Sequence, residues 1–253
     1  MKIKKNILLV VSIVTFVLGL AVVLYPGVLK VYNQNQANEQ IDTFLESIRF
    51  VQGEEATLDN LGNGKEGSGS KSPHYTKKQL DGIYKDMKAY NKKIYKESQI
   101  GISDPFSFAQ NSLSFTKYDI YNNLIGCLEA PTIGMALPIY LGANEYNMSL
   151  GAAYLSNTSM PIGGKNTNSV FAGHTAYIGR TLFDNIVNLQ VGDSIYITNF
   201  WDKLEYKVTD MKVVDPDETE NILIQDGKDL ITFTTCYPYG KNTHRYLVIS
   251  ERV

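Results

Sequence analysis

The chain has 253 residues, 43% of them hydrophobic and 20% charged, with a formal net charge of −2. That length suits one substantial domain with appendages, and the near-neutral balance leaves no broad basic surface for nucleic acid. Val, Ile, Leu, Phe and Tyr recur through the second half, which is therefore able to build a core and is not a disordered tract.

The first element is an apolar run. Ile7 to Tyr25 carries no charged side chain, and as a helix it is about 28 Å long, close to the thickness of a bilayer's hydrocarbon layer. Lys2, Lys4 and Lys5 precede it, and such a basic cluster stays in the cytoplasm. The chain beyond Pro26 is expected outside the cell. A cleaved signal peptide is the competing reading. Against it, the run exceeds an ordinary signal core, and Leu24-Tyr25-Pro26-Gly27 is a poor cleavage site. Residues 1–27 thus read as a basic end and a transmembrane anchor.

Residues 28–100 read as extracellular N-terminal helices. Ile41, Phe44, Leu45, Ile48 and Val51 fall at helical spacing and predict one amphipathic helix from Ala37. Residues 53–72 are rich in Gly, Ser, Asn and acidic residues and predict a flexible loop. A second helix starts at Thr76, with Gln79 completing a capping box and Tyr75 stapled against Leu80. Leu80, Ile83, Tyr84, Met87, Tyr90 and Ile94 form its apolar face. The two matching stripes suggest a helical hairpin packed on the C-terminal half of the chain.

From about residue 115 the pattern changes to short strands. Ile125–Ala130, Met135–Leu141, Ser169–Gly173, Ser194–Asn199, Leu204–Val214, Asp229–Cys236 and Thr243–Arg252 are the candidates. Strands at this spacing indicate a barrel or sandwich. Leu182, Phe183, Ile186 and Leu189 predict one short helix between them. Three His and two Cys, scattered along the chain, do not have metal-ligand spacing, so no metal is expected.

Two cysteines in an exported protein usually suggest a disulfide. Here Cys127 sits within an apolar strand, where Cys is commonly a small core residue. Cys236 ends a strand ahead of Tyr237–Asn242, where Pro238 and Gly240 break the ladder. If the flanking strands fold back near Gly240–Lys241, Cys236 and Arg245 lie nearly opposite each other. A guanidinium there favours the thiolate and offers donors to an oxyanion on a carbonyl attacked by sulfur. A nucleophilic Cys also needs a proton partner. His74 lies in a loop before a helix, and His244 points away from Arg245 by strand alternation. His174, at the end of the apolar Ser169–His174 stretch, is the best candidate.

Thr232-Phe-Thr-Thr-Cys236, with Arg245 nine residues on and Phe-Ala-Gly-His174 upstream, resembles the signature of the sortases. The resemblance extends from about Leu124 to the C-terminus. Phe233 stands where the family usually has Leu; both are apolar and inward-facing, so only local repacking is expected. The resemblance implies a mainly β fold, a closed eight-stranded sortase-type barrel over residues 115–253. It also implies two-step transpeptidation with no cofactor. Cys236 would attack the Thr–Gly carbonyl of an LPxTG-like sorting signal on a surface protein or pilin. His174 would move protons to and from the amines, and Arg245 would hold the oxyanion or the peptide. Thr235 would help orient substrate.

Tyr90–Tyr95 and then Ser103-Asp104-Pro105-Phe106 are similar to the class C, pilus-assembling sortases. That similarity implies a lid over residues 101–114, with Asp104, Pro105 and Phe106 covering the site, and a pilin lysine as acceptor amine. The plain alternative is a turn, since Asp-Pro starts turns often. Many class C members carry a second membrane span at the C-terminus, whereas this chain stops at Glu251-Arg252-Val253. A sortase anchoring surface proteins to the peptidoglycan cross-bridge is the alternative enzyme, and a non-catalytic membrane-tethered β module the alternative class. A papain-like hydrolase is disfavoured, because there the Cys precedes the His.

Overall fold

The computed structural model describes residues 2–51, 75–104, 106 and 114–253. The loop expected over 53–72, together with His74, Pro105 and residues 107–113 of the expected lid, lies outside the described residues.

Helix α1 runs from Lys2 to Val51 with Pro26 inside it. The apolar span and the amphipathic stripe are therefore one rod and not two elements. Proline removes a single backbone bond, and the unbroken helix-compatible sequence on either side carries the helix through. Its first half is bare: Val14, Phe16, Leu18 and Val22 are all exposed, and by length and composition it could cross a membrane. Its second half buries Ala37, Ile41, Phe44 and Ile48, with Phe44 tilted against Phe200 at 5.3 Å.

Helix α2, Lys77–Lys96, begins with the expected capping box, Thr76 and Gln79 each satisfying the other's backbone N–H. Its buried face is Leu80, Ile83, Met87, Asn91 and Ile94. Asn91 belongs there because its amide exchanges hydrogen bonds with both backbone groups of Met160, whereas Tyr84 turns outward onto Trp201.

The remaining elements are β1 (Leu124–Ala130), β2 (Met135–Leu141), α3 (Glu145–Leu150), β3 (Ala152–Tyr154), β4 (Thr167–Ala172), β5 (Ser194–Thr198), β6 (Lys203–Val214), β7 (Asp229–Tyr237) and β8 (His244–Arg252). They close as a barrel in the order β1-β2-β3-β4-β7-β8-β6-β5. Pairs β2/β3 and β4/β7 are parallel and the rest antiparallel. Seven strands match the expected set to within two residues at each end. The eighth, β3, is only three residues long, too short for alternation to register. Helix α3, a single capped turn and a half, is likewise too short to carry a periodic signal. The helix expected from Leu182 to Leu189 is a correction: only a 3-10 turn forms at Ile186–Asn188. Its apolar residues are buried because the loop lies on the barrel, so burial and not helical periodicity spaced them.

Alternation divides the sheet into two faces. Tyr154, Phe171, Phe233 and Val248 belong to the large interior core. Their neighbours Ala153, Val170, Ala172 and Leu247 join Ala143, Met148, Val214 and Ile222 in a second cluster on the outer face. Phe233 is inward, as expected, against Phe171 and Phe183. The outer cluster lies beneath Ile102 and Phe106, and the candidate site stands on it.

Candidate active site

The strand register assembles the site. On the antiparallel side Cys236 of β7 is paired with Arg245 of β8, the opposition that the fold-back near Gly240 required. On the parallel side β4 and β7 are in register to Ala172 and Thr234. The Gly173 N–H then donates to Thr234 O, and Thr175 Oγ1 donates to Cys236 O at 3.2 Å. The residues on either side of His174 are thus tied to the end of β7, which brings His174 out of β4 beside the Cys236 end of that strand. Three residues remote in sequence form one row across β4, β7 and β8, on the face of the outer cluster. Val214, paired with Arg245 from β6, extends that row as apolar floor.

Two close contacts fix the end of β4. The Thr235 hydroxyl, fully buried, donates to Gly173 O at 2.6 Å; what it does here is tie the two strand ends together. At Gly173 a Cβ would approach the Phe183 ring to 2.6 Å, so only glycine permits this packing beneath the turn into His174. Beyond it, Tyr177 stacks on His174 with ring centroids 5.4 Å apart and planes 19° apart. Gly173 belongs to the Phe-Ala-Gly-His174 motif, but Tyr177 did not stand out in the sequence as part of the site; a ring three residues past a histidine, within a loop, has no periodic signal to mark it.

The segment before residue 107 covers the row. Asp104 accepts from Arg245 Nε at 2.8 Å and from Nη2 at 2.6 Å, a bidentate pair between largely buried side chains. Arg245 Nη1 also donates to the Asn242 and His244 carbonyls. The Phe106 ring lies 4.9 Å from the Arg245 guanidinium carbon and 5.9 Å from the His174 ring. It therefore spans the two residues that flank Cys236.

Charge in this closed arrangement is held down. Burial pushes the Cys236 thiol above its usual range; Arg245 opposes that shift and Asp104 adds to it. Burial likewise lowers the affinity of His174 for a proton, opposed by the carboxylate of Glu145 in α3. For Arg245 burial disfavours the charge, but the hydrogen bond to Asp104, the nearby sulfur and the Asp104 charge outweigh it. Burial thus works against charge on both the thiol and the imidazole, while Asp104 occupies the guanidinium. His174 Nε2 is buried and has no hydrogen-bond partner among the described residues. An orphaned buried nitrogen is costly, and a proton donor or acceptor entering the cleft would relieve it.

The other ionisable residues weighed from sequence lie elsewhere. Cys127 is 1% exposed in β1, and burial raises its thiol to about 11, so it is a core residue; neither Cys is in a disulfide. His244 points away from the row, against Asp215 and Thr243.

A closed mixed barrel carrying Cys, His and Arg in a row at one rim defines a recognisable class of protein, and the comparisons agree. The Sortase domain family matches residues 128–253. Sortase A of Bacillus anthracis is 34% identical over 130 residues, 51% of this chain and 60% of that protein. Among solved structures, sortase C-1 from Actinomyces oris aligns with a TM-score of 0.62 and 35% identity, over 69% of this chain and 98% of the other. The pilus-related sortase C of Group B Streptococcus aligns with a TM-score of 0.64 and 32% identity, over 70% and 91%. This chain belongs to the sortase family. Its matches take in between 52% and 63% of the length of the curated relatives.

Proposed function

We propose that the protein is a class C-like sortase, a membrane-anchored cysteine transpeptidase. The observation that carries the reading is the row His174–Cys236–Arg245 with Asp104 seated on Arg245. In the closed state Asp104 and Phe106 would act as a lid, the carboxylate holding the guanidinium and the ring shielding the sulfur. The lid would lie within residues 101–114, of which 101–104, 106 and 114 are described, with residues 1–27 the anchor and residues 115–253 the catalytic barrel. With the lid displaced, Arg245 is free to favour the thiolate and then to stabilise the oxyanion.

The chemistry divides into two balanced steps. The Cys236 thiol passes its proton to His174, Sγ adds to the Thr–Gly carbonyl of an LPxTG-like signal, and collapse breaks the C–N bond. His174 gives its proton to the departing glycine amine, leaving a thioacyl-enzyme. An acceptor amine then attacks the thioester and passes its proton to His174, and sulfur departs as the thiolate. The outer apolar cluster that now lies under Ile102 and Phe106 would receive the peptide's Leu and Pro. The acceptor proposed is a pilin lysine, supported by likeness to solved class C structures, one of them pilus-related by its own description. The bare half of α1 would span the membrane with its N-terminus inside.

Full-length enzyme in detergent or nanodiscs, incubated with an LPxTG peptide, is expected to gain the mass of the acyl fragment on Cys236. The Cys236→Ala variant is expected to gain none. Offering a pilin-derived lysine and a peptidoglycan-type amine in competition separates the two enzyme readings. Efficient use of the second alone would replace pilus polymerisation with cell-wall anchoring, and absence of any acyl adduct would leave a non-catalytic module.

A further inference from the structure

We propose that the tip of the loop carrying His174, residues 177–179, seats in the headgroup–acyl boundary of the bilayer beside the emerging end of α1. This rests on α1 crossing the membrane and needs no assumption about what Cys236 does.

The placement derives from α1. Its uncharged run extends from Asn6 to Leu29, with Lys30 the first charged residue after Lys5. That run is about 36 Å long as a helix, more than a hydrocarbon layer of about 30 Å and within a whole bilayer of about 40–45 Å. Its last turn therefore lies in the interfacial layer, flanked by Tyr25 and Tyr32, both exposed, where aromatic residues favour the membrane boundary. Gly179 packs against this turn: a Cβ there would meet Leu29 Cγ at 2.6 Å. One turn further, Asn33 Nδ2 donates to Gly179 O at 2.8 Å. The loop tip is thus pinned to α1 at the level where the helix leaves the lipid.

The tip also has suitable chemistry. Ile178 is 78% exposed and Tyr177 40% exposed, an aliphatic side chain and an amphipathic ring side by side. The loop behind them is braced by Asp184, which accepts from the Ala176 and Leu182 N–H groups. A braced loop presents Ile178 without paying for its ordering on contact. Since the Tyr177 ring stacks on His174, the catalytic row would open at the membrane surface, and lipid contact at Ile178 would bear on the imidazole through a single ring.

The test uses the full chain with Ile178→Cys on a Cys236→Ala background, labelled with a thiol-reactive environment-sensitive dye and reconstituted into phosphatidylcholine nanodiscs. Cys127 is buried and stays unlabelled. Ile100→Cys is the reference: Ile100 is exposed, and its neighbour Gln99 binds Asn157, beside the end of β4 away from His174. A lipid carrying a quencher near the top of its acyl chain is expected to quench the dye at 178 several-fold more than at 100, with blue-shifted emission at 178 alone. Equal quenching at the two positions overturns the proposal, whether water or another protein covers the tip. If the labelled variant folds poorly, Ile178→Trp on a Trp201→Phe background, read with brominated lipid, gives the same comparison.

Discussion

Arg245 is the residue on which the arrangement of Asp104, Phe106 and Cys236 turns. Its guanidinium faces two groups that compete for it, the Asp104 carboxylate at 2.6 Å and the sulfur of Cys236 across the ladder. Asp104 raises the Cys236 thiol directly and also occupies the cation that would lower it. Asp104→Ala removes both effects, so the thiolate fraction at a given pH should rise. The pH profile of Cys236 alkylation by iodoacetamide is expected to move to lower pH, with faster alkylation near neutrality. A profile identical to wild type would remove Asp104 from the control of the thiol. Phe106→Ala tests the ring separately: it should speed reaction with a bulky thiol reagent more than with a small one, because it opens access and leaves the charge on Arg245 unchanged.

At the scale of elements, the end of β4 is the tightest piece of construction near the site. Gly173 lies against the Phe183 ring, its carbonyl receives the Thr235 hydroxyl, and the Phe183 N–H returns to the His174 carbonyl. Gly173→Ala forces a methyl into that ring, an overpacking that typically costs about 1–3 kcal/mol. The ring moves most easily by carrying the His174 turn with it. Acyl-enzyme formation should therefore fall by more than the change in thermal stability accounts for. By contrast, Thr76→Ala, which breaks the cap of α2, should cost about 1 kcal/mol and leave acylation per folded molecule unchanged. Comparing melting temperature with acylation rate for the two variants separates damage to an element from damage to the site.

For the whole molecule, α1 joins its bare apolar half, the candidate membrane span, to the barrel as one rod. Phe44, 1% exposed, fills a slot beside Phe200, which Tyr75 meets edge-on at 5.2 Å. Phe44→Ala should destabilise the fold by about 3–5 kcal/mol, although residue 44 is remote in sequence from the barrel, and chemical denaturation would measure it. A fall of well under 1 kcal/mol would mean that the lower half of α1 only rests on the surface. Leu29 and Asn33 on the same rod hold the His174 loop, so the candidate span and the candidate site are mechanically continuous.

What the sequence determined by itself is what local pattern encodes. The uncharged run before Pro26, the Thr76 capping box, seven of the strands and the fold-back that sets Cys236 against Arg245 are all read over a few neighbouring residues. Their physics is that of helix length, end groups and two-residue alternation. The closure of the barrel, the three-residue β3 and the arrival of His174 beside Cys236 were decided only in three dimensions. A parallel pairing such as β4 with β7 joins segments about sixty residues apart and leaves no turn signature between them. Leu182 to Leu189 shows the same limit from the other side, since packing on the barrel spaced those side chains as a helix would. The bidentate grip of Asp104 on Arg245, 141 positions away, was legible only through the family likeness of Ser103–Phe106, because periodicity and composition carry no chain path.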